Sequence, residues 1–330
     1  MTTLVTGATG FVGSAVARAL AARGHALRLL VRGSSDRSNL AGLDAELVTG
    51  DLTDPDSLMR AAAGCRFVVH VAADYRIWVP DPEAMLRANV AGAVAMMRAA
   101  GAAGAERIVH CSSVAALGQI GDGTPADEAT AVNEADFVGV YKRSKYQAER
   151  AVLDLVRTES LPIVVVNPAG PVGPRDIKPT PTGKMILDAA AGRMPAYIDT
   201  GLNIVHVDDV GEGHALALEK GRIGERYILG GEDLPLRDIL NLVAEVAHSR
   251  KPFIRLPEAV VWPAAWLLEK LAPVTGIAPM VTTDHLKMAR KKMYFSSAKA
   301  RAELGYAPRP ARQAIEDAVA WFRANGRLKS

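Results

Sequence analysis

Along the first half of the chain, short solidly apolar runs alternate with longer segments in which apolar residues recur every three or four positions. The runs begin at Thr3 with Leu4 and Val5. They continue at Ala26–Arg32, Ala45–Thr49, Phe67–Ala72, Arg107–Ser112 and Pro162–Asn167. Such runs predict strands buried on both faces. Asp54–Ala63, Asp81–Ala103 and Tyr141–Thr158 have helical spacing and good helix formers. Strict alternation of the two predicts an α/β protein with a parallel sheet covered on both sides.

The pattern changes at Asn167. The proline- and glycine-rich stretch Asn167–Pro181 (NPAGPVGPRDIKPTP) predicts a long loop leaving the carboxyl edge of the sheet, the edge where open α/β sheets bind ligands. Beyond it, helical patterns at Gly183–Gly192, Asp208–Lys220, Pro235–His248, Glu258–Leu271, Thr283–Lys291 and Ser297–Leu304 are mixed with short strands. Arg309–Asn325 closes the chain with Ile315, Ala318, Val319 and Phe322 on one face. The expected organisation is therefore a dinucleotide-binding domain over residues 1–170 and a smaller, mostly helical substrate lobe over 171–330, interleaved with the last sheet elements.

The chemistry begins at the first strand. In TLVTGATGFVG (Thr3–Gly13) a strand turns through Gly7, Gly10 and Gly13 into the Ala-rich helical run Ser14–Arg23. Gly7 suits the tight turn, Gly10 lets a phosphate approach the backbone, and Gly13 lets helix and strand pack closely. The helix start would face a pyrophosphate, where its dipole favours negative charge. This context marks a doubly wound, Rossmann-type dinucleotide site, with Thr9, Phe11 and Val12 completing the cofactor turn.

The end of the second strand chooses the cofactor. Enzymes that use NAD commonly carry Asp or Glu there, for the adenosine ribose. Here that place holds Arg32, followed by Asp36 and Arg37, and two guanidinium groups would attract a 2′-phosphate. NADP is thus expected over NAD, although Asp36 could still serve a ribose if Arg32 is only a solvated strand end. Asp51 and Leu52 are placed for the adenine, and Ala72 and Ala73 are small where the nicotinamide ribose comes close. Asp51 could instead simply begin its turn.

Tyr141 and Lys145 are four residues apart on a predicted helix and so share a face. A phenol beside an ammonium ionises more easily. Ser113 ends the fifth strand in HCSSVAALG, at the same edge of the sheet. Together they form a proton-handling set. Tyr141 exchanges a proton with a carbinol or carbonyl oxygen, Ser113 holds that oxygen, and Lys145 assists the phenol and grips the nicotinamide ribose. Ser112 lines the cofactor. Substrate contacts are expected from Tyr75, Arg76, Trp78, Asp136, Phe137, Lys178 and Asn203 at the mouth, with loop surface or lobe packing as the alternative for each.

Bulk composition narrows the function classes. The 330 residues are 49% hydrophobic and 23% charged, enough for a large core. A net charge of +3 with scattered basic residues argues against nucleic-acid binding. Cys65 and Cys111, the only cysteines, read as small core residues, and no metal site is expected. The start of the chain lacks a basic, apolar leader, so a cytoplasmic protein is expected. The most apolar stretch, Leu256–Val281, is broken by Glu258, Glu269, Lys270 and four prolines. It predicts a core or lid helix rather than a membrane span, with peripheral contact at the inner membrane through Trp262, Trp266, Leu267 and Leu268 as the lesser alternative.

These motifs resemble the extended short-chain dehydrogenase/reductase superfamily. The likeness rests on the glycine triplet, Asp51-Leu52, HVAA at His70–Ala73, Asn89 in RANVAG, Ser112-Ser113 and Tyr141 with Lys145. Further along it rests on Pro168 with Val172-Gly173-Pro174, VHVDDV at Val205–Val210 and the closing SSAKARAELGYAPRP. Within the superfamily the chain is similar to the dihydroflavonol-reductase-like branch, and most to the group called hopanoid-associated sugar epimerases. The features are DYRIW at Asp74–Trp78, NPAGPVGPRDIKPTPTGK at Asn167–Lys184 and NIVHVDDV at Asn203–Val210. The resemblance implies a cofactor site running from Gly7 to Val172, with Pro168 and Val172 near the nicotinamide. It also implies a homodimer built from helices such as Asp81–Ala103, and a role in making the side chain of a hopanoid lipid. Asn167 departs from the basic residue many relatives carry, which puts sugar-nucleotide binding there in question.

Three functions compete. One is an NADP-dependent reductase or dehydrogenase of a polyol or keto group, including a lipid-linked one. The second is an NAD-dependent sugar or nucleotide-sugar epimerase, which works best with a retained NAD+, and the third is a non-catalytic nucleotide-sensing scaffold. The complete Ser113, Tyr141 and Lys145 set weighs against the third.

Overall fold

The computed structural model describes residues 1–73, 81–132, 137, 139–275, 286 and 291–328. In chain order the first half reads β1 (Thr2–Thr6), α1 (Phe11–Ala22), β2 (Ala26–Val31), β3 (Ala45–Thr49), α2 (Pro55–Ala62), β4 (Phe67–His70), α3 (Pro82–Ala102), β5 (Arg107–Cys111), α4 (Val140–Glu159) and β6 (Ile163–Pro168). The second half continues with β7 (Gly170–Val172), α5 (Pro181–Ala190), β8 (Ala196–Tyr197), β9 (Gly201–His206), α6 (Val207–Lys220), β10 (Arg226–Leu229) and β11 (Glu232–Pro235). It ends with α7 (Leu236–Ala247), β12 (Ile254–Arg255), α8 (Glu258–Thr275), α9 (Ala298–Leu304) and α10 (Ala311–Ala324).

Seven strands form one parallel sheet in the order β10-β6-β5-β4-β1-β2-β3. Alternate residues of each strand face opposite layers, as the period of two requires. Leu4, Val68, Ile108, Ile163 and Val165 pack with Leu58, Met96, Met97 and Val152 from α2, α3 and α4. Val5, Val69, Val109, Val164 and Val166 pack with Val16, Leu20, Leu216 and Leu304 from α1, α6 and α9. The doubly wound α/β fold follows from that two-sided burial.

The order reverses between β1 and β4, and the crevice beyond their carboxyl ends is where such sheets bind ligands. β2, β4 and β5 stop at Val31, His70 and Cys111, short of the runs expected from sequence. Arg32, Ala72 and Ser112 therefore leave the sheet at its carboxyl edge. The layer above β1 is held by a close helix pair. A Cβ on Gly211 of α6 would lie 2.6 Å from the carbonyl carbon of Ala15 in α1.

The chain beyond 170 serves two places. α6 packs back on the main sheet and β10 joins it, whereas β7, β9 and β11 form a separate three-stranded sheet. Val172, Ile186, Ile204, Ile239, Val243 and Phe322 make that lobe's core. The stretch Asn167–Pro181 is not the uninterrupted loop its composition suggests. Pro168 ends β6, and β7 pairs through Gly170, Pro171 and Val172 with Ile204, Val205 and His206. β7 is an edge strand, where a missing N–H is tolerated. α5 starts at Pro181, earlier than the expected Gly183, because Thr180 caps the helix by accepting the Gly183 N–H at 3.1 Å.

Most of the expected helix Thr283–Lys291 lies outside the described residues. Among those described, no helix is long and apolar enough to cross a membrane. On α8, Trp266, Leu267 and Leu268 are exposed, while Trp262 is half-buried. Both thiols are free and buried, and burial pushes the Cys111 thiol up to about 11.

Candidate active site

The site is built where β1 turns into α1. Gly7 adopts φ +76°, and a Cβ there would sit 2.7 Å from the Ala72 nitrogen. Gly10 N–H donates to the Gly7 carbonyl at 2.9 Å. A Cβ on Gly13 would lie 2.0 Å from that same carbonyl oxygen, so only glycine closes the turn. At Gly10 the surroundings differ, since among the described residues a Cβ would meet only the Gly7 carbonyl oxygen at 3.2 Å. The backbone is open on that side. Gly10 caps α1 without a side-chain bond, and no residue of the first turn is acidic. The N–H groups of that turn are thus left to an anionic ligand, and the open face of Gly10 fits a dinucleotide pyrophosphate.

The end of β4 is tied to this turn by a buried hydroxyl. Thr6 Oγ1 accepts the N–H groups of Val71 and Ala72, each at 3.2 Å, and lies 2.7 Å from His70 Nδ1. With its lone pairs so used, Thr6 donates its proton to Nδ1, which leaves His70 neutral and protonated on Nε2. Burial pushes His70 down to about 3, with the Lys145 charge adding to the effect. The ring stacks on His110, which is also buried and held far below its ordinary range by burial first and by His70, Lys145 and His214 next.

Beyond the end of β2, Arg32 and Arg37 are exposed and form no ion pair among the described residues. Asp36 accepts the Ser38 hydroxyl and N–H, which hold its carboxyl below the usual range, and the charge of Lys178 adds to this. Lys178, expected at the substrate mouth, therefore stands near the loop after β2. Asn39 fixes that juxtaposition by donating to the carbonyls of Thr9 at 3.2 Å and Arg175 at 3.1 Å. Arg175 in turn pairs with Asp208. Asp51 accepts from Thr53 N and Oγ1, which lower its carboxyl, with Arg32 contributing last. One of its oxygens thus closes its own turn, and Leu52 lies against Gly92 of α3.

At the other end, α4 carries Tyr141 and Lys145 on one face. Lys145 is buried and its Nζ donates to the Cys111 carbonyl at 3.2 Å, the last residue of β5 before Ser112 and Ser113. Ser113 Oγ accepts the Ala115 N–H at 3.1 Å, so its own proton remains to be given elsewhere. Ser112 Oγ is buried with no hydrogen-bond partner among the described residues. Tyr141 is half-buried beside Met85 and Val140. Pro168 and Val172 are buried at the adjoining strand ends.

The substrate set fares differently. Tyr75, Arg76, Trp78 and Asp136 lie outside the described residues. Phe137 is buried and stacks on Tyr146 of α4 at 4.4 Å, a packing contact within the first domain. Asn203 is not a substrate ligand. Its Nδ2 donates to Asp233 at 2.7 Å and to the Phe295 carbonyl at 3.1 Å, and its Oδ1 accepts the Gly231 N–H at 2.8 Å. Every polar atom of that amide is spent on the fold.

Sequence reasoning missed the roles of Thr6, Asn39, Asn167 and Glu149. The last had a signal: it continues the Tyr141–Lys145 spacing by one more turn of α4. Among the described residues no cluster of His, Cys, Asp and Glu could hold a metal ion.

Residues 3–230 match the NAD dependent epimerase/dehydratase family. The chain is 43% identical to a protein named as a dihydroflavonol 4-reductase from Synechocystis sp., over 99% of this chain and 96% of that one. It is 36% identical to the sterol demethylase protein B of Methylococcus capsulatus, over 99% and 100% of the two chains. The crystal structure of gox2253 superposes with a TM-score of 0.90 at 61% identity, covering 99% of each chain.

Proposed function

The chain belongs to the NAD dependent epimerase/dehydratase family, within the dihydroflavonol-reductase-like branch of the extended short-chain dehydrogenase/reductase superfamily, and on that premise we propose that it is an NADP-dependent reductase of a keto group. The keto carbon belongs to a sugar-like or polyol group, and the hopanoid side chain is the lipid-linked substrate class we assign to it. One observation carries the reading: Lys145 is buried against the carbonyl that precedes Ser112 and Ser113, with Tyr141 one helical turn away on the same face. Names of relatives support it, one for a reductase, one for a ketoreductase and one for a sterol.

In this reading Ser113, its Oγ already accepting from Ala115, donates its proton to the substrate oxygen and fixes that oxygen in place. Tyr141 passes its phenolic proton to the same oxygen as the carbonyl becomes an alcohol, and Lys145 offsets the negative charge left behind. A bound nicotinamide supplies the hydride. The first turn of α1 holds the pyrophosphate, and Ala72 and Ala73 leave room for the ribose. Arg32 and Arg37, exposed and unpaired among the described residues, hold the 2′-phosphate, which is the basis for NADP.

A second reading, reversible oxidation at a sugar carbon by an epimerase with retained NAD+, uses the same three residues and follows the family's description. The state of the purified protein separates the two. Reductase action requires consumption of added NADPH with a keto substrate and loss of that turnover in Tyr141→Phe. Protein that emerges already carrying NAD+ and consumes no NADPH supports the epimerase. Full turnover by Tyr141→Phe would remove the proton-transfer role under either reading.

A further inference from the structure

Tyr141, Lys145 and Glu149 form one stripe along α4, two helical turns from end to end. The first two serve the proposed chemistry, and the third is a buried acid, 3% exposed, that chemistry does not use. Glu149 Oε2 accepts from Asn167 Nδ2 at 2.6 Å. The same nitrogen donates to the Ser113 carbonyl at 3.0 Å. Asn167 lies in β6 and is fully buried. Because both neighbours of Nδ2 are acceptors, the orientation of the amide is settled by its partners.

The charge on Glu149 is matched. Arg226 Nη1 donates to its other oxygen at 3.2 Å, while Arg226 Nη2 donates to the Glu128 carbonyl at 2.6 Å. The Glu128 side chain then accepts the Ile228 N–H of β10 at 2.8 Å. A hydrogen-bonded chain therefore runs from the Ser113 peptide, through β6, to the helix that carries Tyr141 and Lys145.

We infer that Glu149 and Asn167 are positioning residues that clamp α4 to the end of β5 and so fix Tyr141 and Lys145 relative to Ser113. The inference rests on the proposed role of those three groups. Lys145 ties α4 to β5 at Cys111, and the amide ties it again two residues later, at Ser113, through a different strand. Two anchors a helical turn apart fix both the rotation of α4 and its slide along the sheet. With the amide removed, the Ser113 carbonyl keeps, among the described residues, only the Ala116 N–H at 3.0 Å, a bond within its own turn that does not sense the helix.

Losing one anchor misplaces the proton-transfer groups without touching the nucleotide turn, and displacements near 1 Å slow such reactions by about a hundredfold. The full-length protein is compared as wild type, Asn167→Ala, Glu149→Leu and Glu149→Gln. Readouts are NADPH oxidation with a keto substrate, NADPH affinity by nucleotide fluorescence, and hydrogen exchange of the 112–117 peptide. Glu149→Gln keeps a side-chain oxygen that can accept from Asn167, so it tests rescue. The expected result is a kcat lowered roughly ten- to hundredfold in Asn167→Ala and Glu149→Leu. KM and NADPH affinity stay within about twofold, exchange at 112–117 is faster, and Glu149→Gln recovers most of the rate. Unchanged kcat and unchanged exchange in both disruptive variants would overturn the clamp, as would Glu149→Gln performing no better than Glu149→Leu. Failure of the underlying reading looks different, because it shows as undiminished turnover in Tyr141→Phe, whereas the exchange measurement judges the clamp on wild type and variants alone.

Discussion

The neutral His70 under the nucleotide turn makes stability fall in acid by an amount the structure sets. His70 is fully buried, receives the Thr6 proton on Nδ1 and is depressed to about 3. An unfolded histidine titrates near 6.5. Between those values the unfolded chain binds the extra proton, so this contribution is fully present above about pH 6.5 and is lost as pH falls toward 3. At about 1.4 kcal/mol per pH unit, the loss from this ring is about 2 kcal/mol between pH 7 and pH 5 and about 3 kcal/mol by pH 4.

His70→Asn keeps an acceptor for Thr6 and removes the titration. Urea unfolding of wild type and variant, followed by the fluorescence of the four tryptophans, isolates the term as a difference of differences. Asp176, pushed up to about 6 by burial, acts with the opposite sign between pH 4 and 6. It is present in both proteins and cancels, as does His214, while His110 loses its stacked neighbour but keeps the burial that is the first cause of its depression. The variant should start weaker at pH 7, by about 1 kcal/mol for the altered bond and packing. From pH 7 to pH 5 it should then lose about 2 kcal/mol less than wild type, a midpoint difference near 0.7 M urea for an m of about 3 kcal/mol/M. Parallel stability curves across that range would show that His70 is not held neutral, and the Thr6 argument for the β4 end would go with it.

Gly13→Ala places a methyl 2.0 Å from the Gly7 carbonyl oxygen, so the turn must open, and NADPH titration should show binding reduced by more than about tenfold. Asn203→Ala leaves the Gly231 N–H without its acceptor and Asp233 with only the Phe295 N–H among the described residues, and should destabilise by about 1–3 kcal/mol in thermal unfolding, while KM for a keto substrate stays within about twofold. Lys178→Ala removes a charge beside the loop after β2, and should weaken NADPH several-fold by fluorescence titration and leave NADH unchanged. Equal weakening of both nucleotides by Lys178→Ala would place that ammonium elsewhere than at a 2′-phosphate.

What is legible in the sequence is whatever depends on local periodicity. Runs buried on both faces announce the parallel strands, and the glycine triplet announces the nucleotide turn, because the space a Cβ would need at Gly7 and Gly13 is taken by main chain. Proline content misleads at β7, since an edge strand forgives a missing donor. Polarity and loop surroundings mislead at Asn203 and Phe137, which both look like residues facing a ligand. Asn203 is instead spent on Asp233 and Phe295, 30 and 92 residues further along, and no local pattern separates an amide satisfied at that distance from a free one. Phe137 finds its partner in Tyr146 of α4, a stacking that no local periodicity announces.

The clamp shows why the rest is hidden. Glu149 continues a visible helical stripe, but a carboxylate at that spacing is ordinarily a solvated helix face, and nothing local says that it is buried. Its burial is decided by Asn167 and Arg226, contributed by strands 18 and 77 residues further on. Burying that charge without partners would be prohibitive, so each of the three residues is intelligible only once the other two are in place. The same dependence distinguishes a clamp from incidental packing. If Arg226 serves only to balance the charge and Asn167 to transmit position, Arg226→Met combined with Glu149→Gln should regain stability relative to Arg226→Met alone, because the uncompensated carboxylate is gone. That double variant should also keep the kcat of Glu149→Gln, since the substituted amide still offers Asn167 an acceptor. A double variant as slow as Asn167→Ala would mean that the guanidinium, not the amide, carries the positioning.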